Sequence, residues 1–185
     1  MARVASFAGN VKDPHTDQLT KLGTRREFPD GSVFRYARNG AGALTAGTMV
    51  QSVVPSANHV NEAVAATAAG ATAVTVTLGA TAVTANEYQD GYLWINDAGA
   101  DTTTEGFLYR IASHPAADAS AACVFTLYND SPIIIALTTN SEVSLHRNPY
   151  RNVIIHDSPP TAEPVGVATT AVAASEYFWL QTAGP

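Results

Sequence analysis

The feature that most constrains this chain is a series of short runs of β-branched and aromatic residues between residues 71 and 185, with turn residues between them. One run, TAVTVTL, alternates so that Val74, Val76 and Leu78 would face one side and the threonines the other. Further runs are GYLWIN, GFLYRIA, CVFTLYN, PIIIAL, EVSLHR and EYFWLQ. Strands at this spacing, without helices between them, predict an all-β fold, an antiparallel β-sandwich or barrel-like domain.

Some of these runs are apolar on both faces. In GYLWIN, Leu93 and Ile95 alternate with Tyr92 and Trp94, so each face would present large apolar side chains. Such strands need cover from a second sheet or from a neighbouring subunit. The pattern is therefore a first indication of assembly.

The composition agrees with a folded β-protein. Hydrophobic residues make up 46% of the 185 residues and charged residues 14%, which excludes a disordered chain. The single cysteine, Cys123, lies within a strand-like run and is expected to be an inert core residue without a disulfide partner. The sequence shows neither the apolar core of a signal peptide nor an apolar run of membrane-spanning length, so we expect a soluble chain that is not exported.

The chain is predicted to divide at its one helix-like segment. Residues 1–55 are predicted to form an extended N-terminal arm and a β-hairpin, which together anchor the protein. Residues 56–70, SANHVNEAVAATAAG, are predicted to form a linker or a short helix. Residues 71–185 would form the β-sandwich body.

Charge is distributed unevenly along the chain. The first 38 residues hold seven basic and four acidic side chains, a net +3, whereas the other 147 hold three basic and twelve acidic ones, a net −9. A cationic arm on an acidic body can dock on a neighbouring protein or on another copy of the chain, and the alternative is a solvated edge without a partner. The candidate contact residues are the seven basic ones, Arg3, Lys12, Lys21, Arg25, Arg26, Arg35 and Arg38.

One local pattern occurs twice. TAVTANEY (residues 81–88) returns as TAVAASEY (residues 170–177), and each copy leads towards an aromatic strand that contains a tryptophan. We interpret the repeat as a packing corner, with Trp94 and Trp179 filling the core. The alternative is a duplicated ligand-binding element.

The sequence shows no catalytic or metal-binding pattern. The five histidines lack the spacing of a zinc site, and NDAGAD (residues 96–101) lacks the closing glutamate of a calcium loop, so a turn explains it more simply. HDS (residues 156–158) lacks the glycine-flanked nucleophile of a serine hydrolase. An acidic body disfavours nucleic acid. We therefore predict a non-enzymatic protein without catalytic residues, metal or cofactor, which binds neither nucleic acid nor membrane.

Three segments resemble structural proteins of tailed bacteriophages. FRYARNGAGALTAGTMVQS is similar to the G-x-ALxAG-x-x-x-Q hairpin near the N-termini of phage head proteins. YQDGYLWIN with GFLYRIASHP, and YRNVIIH with VGVATTAVAASEYFWLQTAGP, resemble β-rich capsid decoration (cement) proteins. The resemblance covers most of the chain and rests on the patterning of small residues. It implies a protein of the capsid exterior, often a homotrimer, that binds the major capsid protein, clamps its subunits together and is assembled in the host cytoplasm.

The alternative function is a tail, fibre or carbohydrate-binding β-module that recognises a glycan on the host surface. Exposed aromatic side chains would then stack on sugars. The candidates for this role are Tyr92, Trp94, Tyr177 and Trp179. A third hypothesis, a β-sandwich hydrolase, would require two carboxylates that converge in a cleft.

Overall fold

The computed structural model describes residues 10–97 and 105–185, and these residues form an all-β protein. The one helical segment in the described part is the 3-10 turn Ala57–His59. All pairs between named strands are antiparallel, which confirms the predicted fold class. The twelve described strands are β1 Arg25–Glu27, β2 Val33–Arg38, β3 Met49–Gln51, β4 Glu62–Ala63, β5 Ala73–Thr77, β6 Tyr92–Asp97, β7 Leu108–Ser113, β8 Ala122–Leu127, β9 Glu142–His146, β10 Ile154–Ile155, β11 Pro164–Ala168 and β12 Tyr177–Ala183.

The chain folds into two compact units. Unit 1 combines the described residues up to Val54 with Pro149–Pro185, and unit 2 is Pro55–Asn148. This division differs from the predicted one, because the C-terminal strands belong with the N-terminal strands rather than with a body that begins at residue 71. The strand order in unit 1 is β1-β2-β12-β11-β3-β10, so β12 and β11 lie between β2 and β3. Consequently, β2 and β3 do not form the predicted hairpin with each other.

The sheet of unit 1 buries side chains on both faces. Alternation along β2 directs Ala37 to one face, where it joins a core with Val50 and Phe178. Tyr36 points to the other face and packs against Trp179, and this second core is covered by residues 10–24, from which Leu22 is buried. Residues 10–24 are therefore part of the folded unit rather than an extended arm, and the two-sided strands receive part of their cover from the same chain.

Unit 2 is a nearly closed, barrel-like sheet. Its strand order is β4-β9-β6-β7-β8-β5, and a bridge between Val64 and Val76 links the segment after β4 to β5 at the opposite edge. The predicted alternation is confirmed, because Val74, Val76 and Leu78 are all buried in the core. Residues 56–70, predicted as a linker or short helix, contribute the 3-10 turn and β4 to this sheet.

A corner with the same hydrogen bonds recurs six times in the described residues. Each begins at a residue in an isolated antiparallel bridge, and the bridges join the corners in pairs: Leu44 with Val172, Thr67 with Leu137, and Val83 with Ala117. The N–H four residues after the bridge donates to the C=O one residue after it, as in a β-turn. In five corners the third residue after the bridge has positive φ, which is typical of a type II turn. These residues are Gly47, Gly70, Asn86, Ser120 and Ser175.

The repeated sequence corresponds to two of these corners. Val83 and Val172 are buried at the two bridges, and Asn86 and Ser175 occupy the positive-φ position. In both copies the glutamate that follows accepts a hydrogen bond from the backbone N–H three residues earlier. The structure therefore supplies a conformational reason for the repeat.

The two tryptophans expected in the core have different environments. Trp179 is buried, as predicted, whereas Trp94 is 42% exposed and does not fill the core. The register explains the difference, because Leu93 and Ile95 take the inward positions of β6 and direct Trp94 outward.

Candidate interaction surfaces

The predicted cationic contact residues do not form a single patch. Arg3 lies outside the described residues, while Lys12 and Lys21 are exposed in the segment that covers the sheet of unit 1. Arg25 is exposed on the edge strand β1 and forms an ion pair with Glu27 at 2.6 Å. An exposed pair of this kind contributes little to stability, typically about 0.2–1 kcal/mol.

The other three arginines lie over aromatic rings within unit 1. The guanidinium carbon of Arg26 is 4.9 Å from the ring centre of Phe28, that of Arg35 is 5.6 Å from Tyr150, and that of Arg38 is 5.8 Å from Tyr177. Arg35 also donates to the Gly23 carbonyl at 2.8 Å, and Arg38 donates to Asn152 at 2.5 Å. These side chains stabilise the unit itself, which sequence charge counting could not anticipate.

Assigning charges to the two units sharpens the asymmetry seen in the sequence. The segments of unit 1 hold eight basic and seven acidic residues, a net +1, whereas unit 2 holds two basic and nine acidic residues, a net −7. The acidic charge is therefore concentrated in the barrel-like unit.

Unit 2 contains a buried hydrogen-bonded pair, Tyr88 and His59, whose residue types also occur in catalytic sites. The Tyr88 hydroxyl lies 2.5 Å from His59 Nδ1, and His59 Nε2 lies 2.9 Å from the carbonyl oxygen of Thr81. Because a carbonyl oxygen only accepts, Nε2 carries the proton and Tyr88 donates to Nδ1. Burial raises the pKa of Tyr88 to about 12, which keeps the phenol protonated. With Tyr88 and His59 almost fully buried, the pair is a structural hydrogen bond within the core.

Two glutamates of unit 2 have opposite pKa shifts. Burial raises the pKa of Glu62, while His59 and the Gly79 amide oppose that shift. Burial would also raise the pKa of Glu87, but hydrogen bonds from Arg147 and Thr84 outweigh it and hold the pKa below its ordinary value. The ion pair between Glu87 and Arg147 is largely shielded from solvent and makes two hydrogen bonds. The carboxylates are thus tied to internal partners.

The other motifs considered in the sequence, where the structure describes them, have structural roles. The Asp157 carboxylate of HDS accepts from Thr161 at 2.9 Å, and its backbone N–H donates to Gln51, so it stabilises a turn. Cys123 is buried, and burial raises the pKa of its thiol. Within the described ranges, no three His, Cys, Asp or Glu side chains converge as a metal site would require. Most of NDAGAD lies outside the described residues.

Exposed apolar side chains form two candidate contact surfaces, one on each unit. On unit 1, Met49 of β3 lies directly opposite Val167 of β11, and the two side chains are 46% and 37% exposed. On unit 2, Trp94 of β6 lies opposite Leu108 of β7, which is 54% exposed. Of these residues, the sequence had singled out only Trp94. The others look like ordinary strand residues until the register shows which face they occupy.

Shallow grooves adjoin the apolar pair of unit 1. One, of about 370 Å³, is lined by Gly166, Val167 and the C-terminal residues 181–185. A second, of about 350 Å³, is lined by Phe28, Phe34, Lys12 and others. Both open to solvent and are lined mostly by apolar atoms, so the surface around Val167 is an uneven apolar region rather than a deep pocket.

Comparison with known proteins adds no relative. No family model matches the sequence, and no significant match was found among curated proteins or solved structures. In the described part of the chain, no helix has the length and hydropathy needed to cross a membrane.

Proposed function

We propose that this chain is a non-enzymatic decoration (cement) protein of a tailed-phage virion. It would bind the major capsid protein on the outer surface of the shell and associate with itself as a homotrimer. The observation that most supports this proposal is the apolar surface of unit 1 around Met49 and Val167, which the described residues leave uncovered.

This surface suits a protein partner better than a small molecule. Met49 and Val167 lie side by side on an open sheet next to shallow grooves, whereas small-molecule sites are concave and enclose most of their ligand. Apolar side chains grouped in this way on a soluble protein mark contact sites.

The edges of the same sheet differ in a way that fits one-sided attachment. Edge strand β1 exposes Arg25 and Glu27, and charged side chains of this kind discourage pairing with another strand. The opposite edge strand, β10, consists of the uncharged Ile154 and Ile155, so it lacks that protection against an added strand. A capsid subunit or a second copy would therefore dock along β10 and across the neighbouring β3 and β11.

Substitution of the apolar pair tests the proposal. Met49→Asp and Val167→Asp should abolish co-sedimentation with shells assembled from the major capsid protein, because each places a carboxylate in the interface. The matched control is Ile134→Asp, because Ile134 is a 62% exposed apolar side chain that belongs to unit 2 and not to this sheet. Normal binding by both unit 1 variants would contradict the assigned surface, and failure of the wild type to bind would contradict the function.

The predicted anchoring role of the N-terminal segment is better tested by surface substitutions than by truncation. Removing residues 1–28 would delete Leu22, which is buried in unit 1, so loss of binding would not separate anchoring from unfolding. Charge reversal at the exposed Lys12 and Lys21 leaves the core intact. If the basic segment contacts the capsid, the Lys12→Glu, Lys21→Glu double variant should bind more weakly, and the difference should disappear at high salt.

The alternative is a tail or fibre module that recognises a host glycan, and the exposed Trp94 favours it. The two functions differ in the copy number per particle, which quantitative mass spectrometry of purified virions measures. Hundreds of copies indicate a shell lattice, whereas a handful indicate the tail.

A further inference from the structure

The outer face of unit 2 presents a tryptophan that the fold covers only in part. Trp94 lies between Leu108 of β7 and Ser144 of β9, and 42% of it is exposed. An indole ring buries a large area when it is covered, so leaving it on an open sheet forgoes a substantial stabilisation. Such a ring offers a flat apolar platform to a ligand.

A chain of polar groups next to this platform is already ordered. Ser144 Oγ donates to Asn96 Oδ1 at 3.1 Å, and Asn96 Nδ2 in turn donates to the side-chain oxygen of Asn61. The backbone N–H of Asn61 donates to Ser144 Oγ at 3.3 Å, which closes the circuit. Asn61 is itself exposed and has positive φ. Because Asn96 follows Trp94 by two residues on the same face of β6, the circuit orders the exposed Asn61 amide beside a neighbour of the indole.

A second row of hydrogen-bonding side chains lies on the other side of the indole. Tyr92 pairs across the strands with Arg110 and His146, and the His146 ring centre is 5.8 Å from that of Trp94. His146 Nε2 is buried, so the imidazole packs against the indole rather than contacting a ligand. Polar atoms thus flank the platform on both sides.

We propose that this face, with Trp94 as its platform and the ordered Asn61 and Asn96 amides beside it, binds a neutral glycan. A hexose has an apolar C–H face that covers an aromatic ring and hydroxyl groups at its edge that both donate and accept. Carboxamides match those hydroxyls, since each offers both a donor and an acceptor. Arg110 lies on this face, but the net charge of −7 on unit 2 as a whole disfavours the approach of sulfated or carboxylated sugars, so we expect a preference for neutral ones. The site does not depend on attachment to a capsid.

Binding of the full chain to immobilised α-mannan, dextran and galactan tests the site, with heparin as the anionic comparison. We expect at least one neutral polymer to bind, and Trp94→Ala to weaken that binding roughly tenfold or more. Asn61→Ala should weaken it as well. Val124→Ala is the matched control, because Val124 is an exposed apolar residue of β8, two strands from β6, and its loss should leave binding unchanged.

Tryptophan fluorescence gives an independent readout. Trp94 is exposed and Trp179 is buried, so acrylamide should quench mainly Trp94, and the bound polymer should protect it. The proposal is overturned if no neutral polymer binds at millimolar hexose, if heparin alone binds, or if Trp94→Ala and Asn61→Ala bind as the wild type does. Loss of capsid attachment in Trp94→Ala, without binding of any glycan, would also overturn it and assign the face to a protein partner.

Discussion

The hydrogen bond between Tyr88 and His59 can be tested by substitution, and the second copy of the repeated sequence supplies a matched control. Tyr88→Phe removes a single oxygen and keeps the ring, so its packing against His59, His114 and Phe125 is retained. What changes is His59 Nδ1, which loses its donor while remaining fully buried. A buried acceptor left without a partner costs about 1–3 kcal/mol, so we expect the free energy of unfolding of unit 2 to fall by about 2 kcal/mol.

The control is the same substitution at the equivalent position of the second repeat. Tyr177 stacks on Tyr36 at 5.9 Å between ring centres, and no described residue hydrogen-bonds its hydroxyl. Tyr177→Phe should therefore change stability by less than about 0.5 kcal/mol. The same chemical change in nearly the same local sequence is thus expected to have a fourfold different effect or more, because only one hydroxyl has a buried partner.

Urea denaturation measures both changes. Trp94 lies in unit 2 and Trp179 in unit 1, so Tyr88→Phe is measured in a Trp179→Phe background, where only unit 2 contains a tryptophan. Tyr177→Phe is measured in a Trp94→Phe background, where Trp179 reports on unit 1. For a domain of this size, about 2 kcal/mol corresponds to a fall in Tm of roughly 8–16 °C, with an unchanged urea dependence. A double-mutant cycle with His59→Ala should show strong coupling between the two substitutions. In the His59→Ala variant, Nδ1 is absent, so Tyr88→Phe leaves no buried acceptor without a partner.

The hydrogen-bond reasoning would be refuted by a Tyr88→Phe variant as stable as the wild type. It would also be refuted if Tyr88→Phe and Tyr177→Phe were equally destabilising, or if the cycle showed independent effects. In each case the loss of the hydroxyl would not act through His59.

Further predictions concern charge and backbone geometry. Glu62 has a raised pKa in the folded state, so its contribution to stability is present below its unfolded pKa and is lost as pH rises through the folded pKa. Glu62→Gln removes the titrating group and therefore this loss. We expect the variant to have a larger free energy of unfolding for unit 2 at pH 7, measured by urea titration. Glu87 has a lowered pKa, so its contribution to stability is present above the unfolded pKa and is lost as pH falls through the folded pKa. Glu87→Gln should therefore lower the free energy of unfolding of unit 2 at pH 7 by about 1–3 kcal/mol. A difference from the wild type that persists at pH 3 would contradict this reasoning. Gly91→Ala should cost more than about 2 kcal/mol, because the new Cβ would lie 2.3 Å from the His146 carbonyl oxygen, whereas Gly42→Ala, with open space around it, should be close to neutral in the same thermal melts. Gly47→Ala should cost about 1 kcal/mol through backbone strain alone, because its φ is +85° and nothing lies within 4 Å; an unchanged Tm would refute that attribution.

The all-β class and the buried face of each regular strand follow directly from the sequence. Val74, Val76 and Leu78 are buried because a strand alternates its side chains with a period of two, and this rule needs no knowledge of the partner strands. The recurring corner is also local. In each of the five corners with positive φ, an alanine precedes the positive-φ Gly, Asn or Ser, and the hydrogen bond that closes the turn spans only three residues.

Pairing between distant strands is decided by the tertiary structure. The order β2-β12-β11-β3 places residues 164–183 between two N-terminal strands, and no local pattern shows that insertion. For the same reason, charge counting over residues 1–38 grouped arginines that the fold separates: Arg26 and Arg38 lie over rings on one face of the sheet, while Arg35 points to the other.

The two tryptophans illustrate which features are determined by local sequence and which by tertiary packing. The sequence alone determined that each lies on a strand after a repeated corner, because turn chemistry and alternation are local. Only the tertiary structure decided that Trp179 is covered by residues 10–24 while Trp94 remains exposed, because burial depends on which distant segment packs on that face. Local interactions therefore determine the strands and turns, and non-local packing determines which side chains are left to bind a partner.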